Sequence, residues 1–130
     1  DALVKGMEDH REDLVVILAG YSREMDTFLT ANSGLASRFP NRIEFPDYTA
    51  EELVRITQGI ATGKGYRISD ECLPPLKEYY AQQQAANAAA AGNGRMARNL
   101  VEKAILQQSR RLAQDPEAGL DELTLQDFAL

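Results

Sequence analysis

The chain has 130 residues, 44% of them hydrophobic and 26% charged, so it can bury a modest core and reads as one domain or two small ones. Twenty Asp and Glu against fourteen Lys and Arg leave a formal net charge of −6, which repels a polyanion at long range and disfavours generic nucleic-acid binding. The longest apolar run, Leu14 to Ala19, is far short of the roughly 20 residues a bilayer span needs, and the single Cys72 excludes an internal disulfide and has no Cys or His at ligand spacing, so no metal site is expected.

In chain order, Ala2, Leu3 and Met7 are spaced like the end of an amphipathic helix, with only Asp1 to cap it, so the chain is expected to begin inside a helix. Leu14-Val-Val-Ile-Leu-Ala-Gly20 is continuous and β-branched, the pattern of a strand covered on both faces in a parallel α/β sheet. Met25, Phe28 and Leu29 recur at helical spacing, and Gly34 then breaks the chain before Leu35 to Phe39. Arg42-Ile-Glu-Phe45 alternates polar with apolar and predicts a second strand near a sheet edge, ended by Pro46.

From Thr49 onward the pattern is helical. Thr49-Ala-Glu-Glu52 is a capping box, with Leu53, Ile56 and Ile60 as the apolar stripe behind it. Gly63-Lys-Gly65 reads as a turn and Tyr66-Arg-Ile68 as a short extended link. Ser69, followed by Asp70 and Glu71, caps another helix, in which Pro74 and Pro75 require a start after Cys72 or a local distortion. Ala81 to Ala91 is low in complexity and fits either a continued helix or a mobile linker. A long final helix starts at Asn93, with Met96, Leu100 and Ala104 on one row and Ala97, Val101 and Ile105 on the next, ending near Arg111-Leu112. Asp115 to Gly119 is a loop, and Thr124-Leu-Gln-Asp127 a short capped turn. Helices following a strand pair predict a small helical domain beside a sheet.

Gly92-Asn-Gly-Arg-Met-Ala-Arg98 places Arg95 and Arg98 in the first two turns of that final helix, where the macrodipole disfavours positive charge by a few tenths of a kcal/mol per cation. Arg98 and Glu102 are spaced to pair. Guanidiniums beside free helix-start amides make a phosphate site; the bland alternative is that both arginines bind acids of their own domain or stay solvated. Asn32-Ser-Gly-Leu-Ala-Ser-Arg-Phe39 holds Arg38 in a glycine-containing turn, which alone would be an ordinary surface arginine. Tyr21 follows the apolar strand, where open α/β sheets place ligand-facing residues, or else packs on the next helix. Asn32 is a second polar candidate, with helix C-capping as its alternative. His10 is assigned no role.

The joint layout of apolar strand, short helix, Gly-Leu-x-Ser-Arg-Phe turn, second strand and Gly-Asn-x-Arg-x-x-Arg-Asn resembles the C-terminal half of an AAA+ ATPase of the CbbX and SpoVK family, with EccA ATPases as further relatives. The resemblance implies an α/β remnant of a P-loop core over residues 1–48, with two parallel strands plus helices, then a small all-α lid domain over 49–130, the whole mostly α. It implies Arg38 as an arginine finger acting in trans on a neighbour's ATP, Arg95 or Arg98 as sensor 2, and Tyr21 or Asn32 in the sensor 1 region, where Ala19-Gly20-Tyr21 departs from the usual Ala-Thr-Asn. Neither a Walker A loop nor an apolar strand ending in acids occurs in the chain, so ATP and Mg2+ are expected to serve an intact parent and not this stretch alone. A cytoplasmic hexamer that remodels a protein client is the implied setting. The alternative from another class is a non-enzymatic helical adaptor whose arginines bind an acidic peptide.

Overall fold

A computed structural model describes residues 2–32, 34–87 and 94–130. The chain divides into two compact units, Asp1–Phe45 and Pro46–Leu130. Each is built around its own packing.

In the first unit, α1 spans Ala2–Asp9, α2 Ser22–Ala31 and α3 the single turn Leu35–Arg38. Gly34 takes a left-handed conformation at the start of α3, with φ of 87°, a backbone setting in which a side chain would be strained. Leu35, the next residue, is fully buried. Of the three apolar positions the sequence set at helical spacing in α2, Met25 and Leu29 are half-buried and Phe28 is exposed. Neither expected strand forms among the described residues. Residues 14–20 carry no strand pairing: Val15 and Ile17 are each 85% exposed, while Val16 and Leu18 are half-buried. That alternation leaves one side covered and the other open. The reason is that a β-strand is completed by its ladder neighbours, and a run suited to the middle of a parallel sheet has none here to bond. Arg42 to Phe45 is likewise unpaired and exposed throughout. There Arg42 meets Asp26 at 2.6 Å and Glu44 at 3.2 Å, and its bond to Asp26 raises its pKa.

The second unit is predominantly helical. Its first helix, α4 (Ala50–Gly63), opens with the predicted capping box: Thr49 Oγ1 accepts from Glu52 N–H at 3.1 Å, and Glu52 Oε1 accepts from Thr49 N–H at 3.0 Å. These bonds from Thr49 hold the Glu52 carboxyl below its ordinary pKa. Leu53, Val54, Thr57 and Ala61 form the buried face of α4, one helical stripe. The chain turns at Lys64 and at Gly65, whose φ is 85°. It then forms β1 (Arg67–Ile68) and a 3-10 turn, Asp70–Cys72, before α5 (Leu73–Ala86). Pro74 and Pro75 therefore sit in the first turn of α5, where a missing N–H costs no internal bond. Of the low-complexity segment, residues 81–86 are helical, with Asn87 as C-cap; Ala88 to Ala91, like Gly92 and Asn93, lie outside the described residues.

The long helix α6 (Gly94–Gln114) buries Ala97, Leu100, Val101, Ala104 and Gln108, and packs with α4 and with α7 (Leu125–Phe128). Between α6 and α7 lies β2 (Glu122–Leu123), parallel to β1 with Arg67 opposite Glu122 and Ile68 opposite Leu123. The described parallel sheet is thus in the second unit, joined by a crossover through α5 and α6. Leu53, Leu76, Val101 and Leu123 are fully buried at the centre, and each large aliphatic of that kind stabilises by about 1.5–3 kcal/mol. Two polar groups are satisfied inside this core. The Tyr80 hydroxyl lies 2.5 Å from Thr57 Oγ1, which itself donates to Leu53 O at 2.7 Å, and Gln108 Nε2 donates to Leu120 O at 2.8 Å. Burial pushes the Tyr80 hydroxyl up to about 12 and the Cys72 thiol up to about 11.

The chain's last turn is locked by charge. Asp127, 1% exposed, accepts from Arg111 Nε at 2.9 Å and Nη2 at 3.0 Å, and from Thr124 N–H at 2.9 Å. Burial alone would raise this carboxyl, yet the Arg111 and Thr124 bonds outweigh it and hold it below the ordinary value.

Candidate functional site

Arg38 is the last residue of α3, a turn set by the left-handed Gly34 and anchored by buried Leu35. Its guanidinium is committed at both ends within its own unit: Nη2 to the carboxylate of Glu8 on α1, and Nη1 to Gly34 O at 2.9 Å. Ser37 Oγ closes the same turn by donating to Gly34 O at 2.9 Å. The side chain keeps 28% exposure and lines a cleft of about 340 Å3 with Met7, Glu8, Arg11, Leu14, Val16 and Phe39. The sequence did not single out Glu8: thirty residues separate it from Arg38, and an exposed acid on a polar helix face carries no local signal.

Tyr21 stands directly before α2 as its N-cap and is 73% exposed, which answers the alternative that its ring packs on that helix. Asn32 caps the other end of α2, its Nδ2 donating to Phe28 O at 2.8 Å. This is the capping geometry weighed for it from sequence, and Phe28 O accepts the Asn32 backbone N–H as well, at 3.2 Å.

In the second unit, Arg95 and Arg98 occupy the first and second turns of α6 and are both exposed, while Ala97, Leu100 and Val101 on the opposite side are buried. Core packing therefore turns the two arginines outward together. The first turn of α6 holds no acidic residue to complement its dipole. Arg98 and Glu102, spaced to pair, form no ion pair among the described residues. Such an edge, with guanidiniums beside helix-start N–H groups, can receive a phosphate or carboxylate. Among the described residues no group of three or more His, Cys, Asp or Glu could hold a metal ion, and no helix is long and apolar enough to cross a membrane.

A capped helix, a long helix packed across it and a short strand pair closing the C-terminal end make the helical lid of an AAA+ protein. The family model for the AAA lid domain matches residues 49–130, and the chain belongs to that family. It is similar to the stage V sporulation protein K of Bacillus subtilis, 44% identical over 113 residues, with 86% of this chain and 35% of that protein covered. Protein CbxX (plasmid) of Cupriavidus necator is 38% identical over 125 residues, covering 96% and 39% of the two chains. The ESX-1 secretion system protein EccA1 of Mycolicibacterium smegmatis is 40% identical, covering 95% of this chain and 23% of that protein. The AAA+ resemblance read from the motifs is thus borne out. The chain spans well under half the length of these relatives.

Proposed function

We propose that this chain is the C-terminal part of an ATPase that works as a cytoplasmic ring and couples ATP hydrolysis to remodelling of a protein client. The observation that carries the reading is the outward pair Arg95 and Arg98 at the start of the lid helix α6, within the stretch matched by the lid family. Placed against a nucleotide, these guanidiniums would contact phosphate oxygens as sensor 2 and tie the lid's position to nucleotide state. Arg38 would serve the neighbouring subunit's ATP in trans, its positive charge stabilising charge that develops on the transferring phosphoryl group. Tyr21, exposed at the head of α2, fits the sensor 1 region better than Asn32, whose amide is spent on capping. The residues present fit the phosphate end of ATP only in part. The cradle for the phosphates and the acids for Mg2+ would come from a Walker A loop and Walker B strand, which the 130 residues do not contain.

The test is made on the open reading frame that contains this chain. Arg38→Ala should lower steady-state hydrolysis by about 10³-fold or more while leaving nucleotide binding intact. Of Arg95→Ala and Arg98→Ala, one should alter nucleotide affinity or turnover. Full turnover in Arg38→Ala removes the finger assignment, and no effect from either lid variant removes sensor 2. The 130-residue chain by itself should not hydrolyse ATP, and measurable turnover by it would contradict the reading.

A further inference from the structure

We propose that Glu8 is an internal stand-in for the phosphate that Arg38 serves, a latch that keeps the guanidinium docked in its own unit until a stronger anion competes for it. The proposal rests on the arginine-finger reading and adds a regulatory contact to it. A guanidinium offers a planar fork of N–H donors, and a carboxylate oxygen meets that fork as a phosphate oxygen would. Here one arm of the fork is on Glu8 and the other on Gly34 O, so an arginine reaching for a neighbour's nucleotide must first give up both bonds.

The geometry suits an exchangeable contact. Glu8 and Arg38 remain 58% and 28% exposed, and an ion pair of that kind biases an equilibrium by only about two- to fivefold. A terminal phosphate, with more charge and more acceptor oxygens than one carboxylate, can displace it. The docked position also depends on the turn. With φ of 87° at Gly34, a Cβ there would lie 2.8 Å from Arg38 Nη1, so glycine supplies both the backbone setting and the room for the docked guanidinium. Arg11 lines the same cleft three residues beyond Glu8. Glu8 is more than half exposed, so water solvates its carboxylate once Arg38 leaves and release does not strand a buried charge.

The experiment measures ATP hydrolysis against ATP concentration in the full-length protein. Glu8→Gln keeps the side chain's shape and removes its charge; turnover at sub-saturating ATP should rise about two- to fivefold, in line with the weight of a surface ion pair. A merely structural Glu8 would move the result the other way, with lower turnover and a lower melting temperature, so unchanged or reduced turnover overturns the latch. In the Arg38→Ala background the gain from Glu8→Gln should vanish. Full turnover in Arg38→Ala overturns the finger reading itself, whereas lost turnover there combined with no gain in Glu8→Gln overturns the latch alone. Should Glu8→Gln fail to fold, Glu8→Asp, which keeps the charge but draws the carboxylate back by one methylene, is read by the same sign.

Discussion

Replacing Asp127 with Asn should unfold the C-terminal end of the lid far more readily than its nearly identical shape suggests. Every group that faces this carboxylate is a donor: Arg111 Nε and Nη2 on one side, Thr124 N–H and Oγ1 on the other. An amide has one acceptor oxygen, so its NH2 must confront either the guanidinium or the cap. With Asp127 buried and the Arg111 side chain only 20% exposed, the lost charge leaves a largely enclosed cation. Breaking such a pair costs about 3–5 kcal/mol, and partial access of Arg111 to water places this case near the lower end, about 3 kcal/mol. For a unit of this size that corresponds to a fall in Tm of roughly 12 °C or more. Arg111 Nη2 also donates to Glu122 O at 3.3 Å, so the loss would extend to β2. The assay is thermal or urea unfolding followed by circular dichroism at pH 7, repeated in acid. The sign follows from the depressed carboxyl: its contribution is complete above the ordinary carboxyl pKa, about 4, and is lost as pH falls through the lower folded-state value. The gap between wild type and Asp127→Asn should therefore close below about pH 4. A variant within about 0.5 kcal/mol of wild type at pH 7 would refute the reasoning, since that is the range of an ordinary surface change.

The buried Thr57–Tyr80 pair should respond asymmetrically. Thr57 donates to Leu53 O, so Tyr80 donates to Thr57; Tyr80→Phe then loses one bond, about 1 kcal/mol, whereas Thr57→Val strands a buried hydroxyl at about 1–3 kcal/mol, and equal losses in urea melts would contradict this. Because burial raises Tyr80 to about 12, its contribution is complete below the ordinary tyrosine value and is lost as pH climbs through 12, so alkaline titration should show Tyr80 ionising together with unfolding. Cys72, fully buried with its thiol raised to about 11, should react with a thiol reagent only as fast as the unit opens; rapid modification of the native chain would rule out that burial. Thr49→Ala should lower stability by about 1 kcal/mol through the cap of α4, with Thr49→Ser close to wild type in the same melts.

The sequence by itself determined the features whose causes lie within a few residues of one another. The Thr49–Glu52 box, the turn through Gly65, the buried rows of α6 and the Thr124–Asp127 cap are all local hydrogen-bonding or periodicity effects, and each stands where the pattern placed it; of the two readings the prolines left open, a start after Cys72 is the one that forms. The AAA+ kinship was carried in the same way by short motifs. The tertiary structure decided what depends on distant partners. Residues 14–20 have strand composition, but strand formation is a property of a ladder and not of one segment, so that run stays unpaired and half open. The parallel pair Arg67–Ile68 and Glu122–Leu123 comprises two residues on each side, too few for any alternation to announce it; packing of α5 and α6 on α4 brings the two together. Arg111 and Glu8 were unmarked for the same reason: a charged side chain acquires its role from whichever opposite charge the fold carries to it, and that meeting is written in no local pattern.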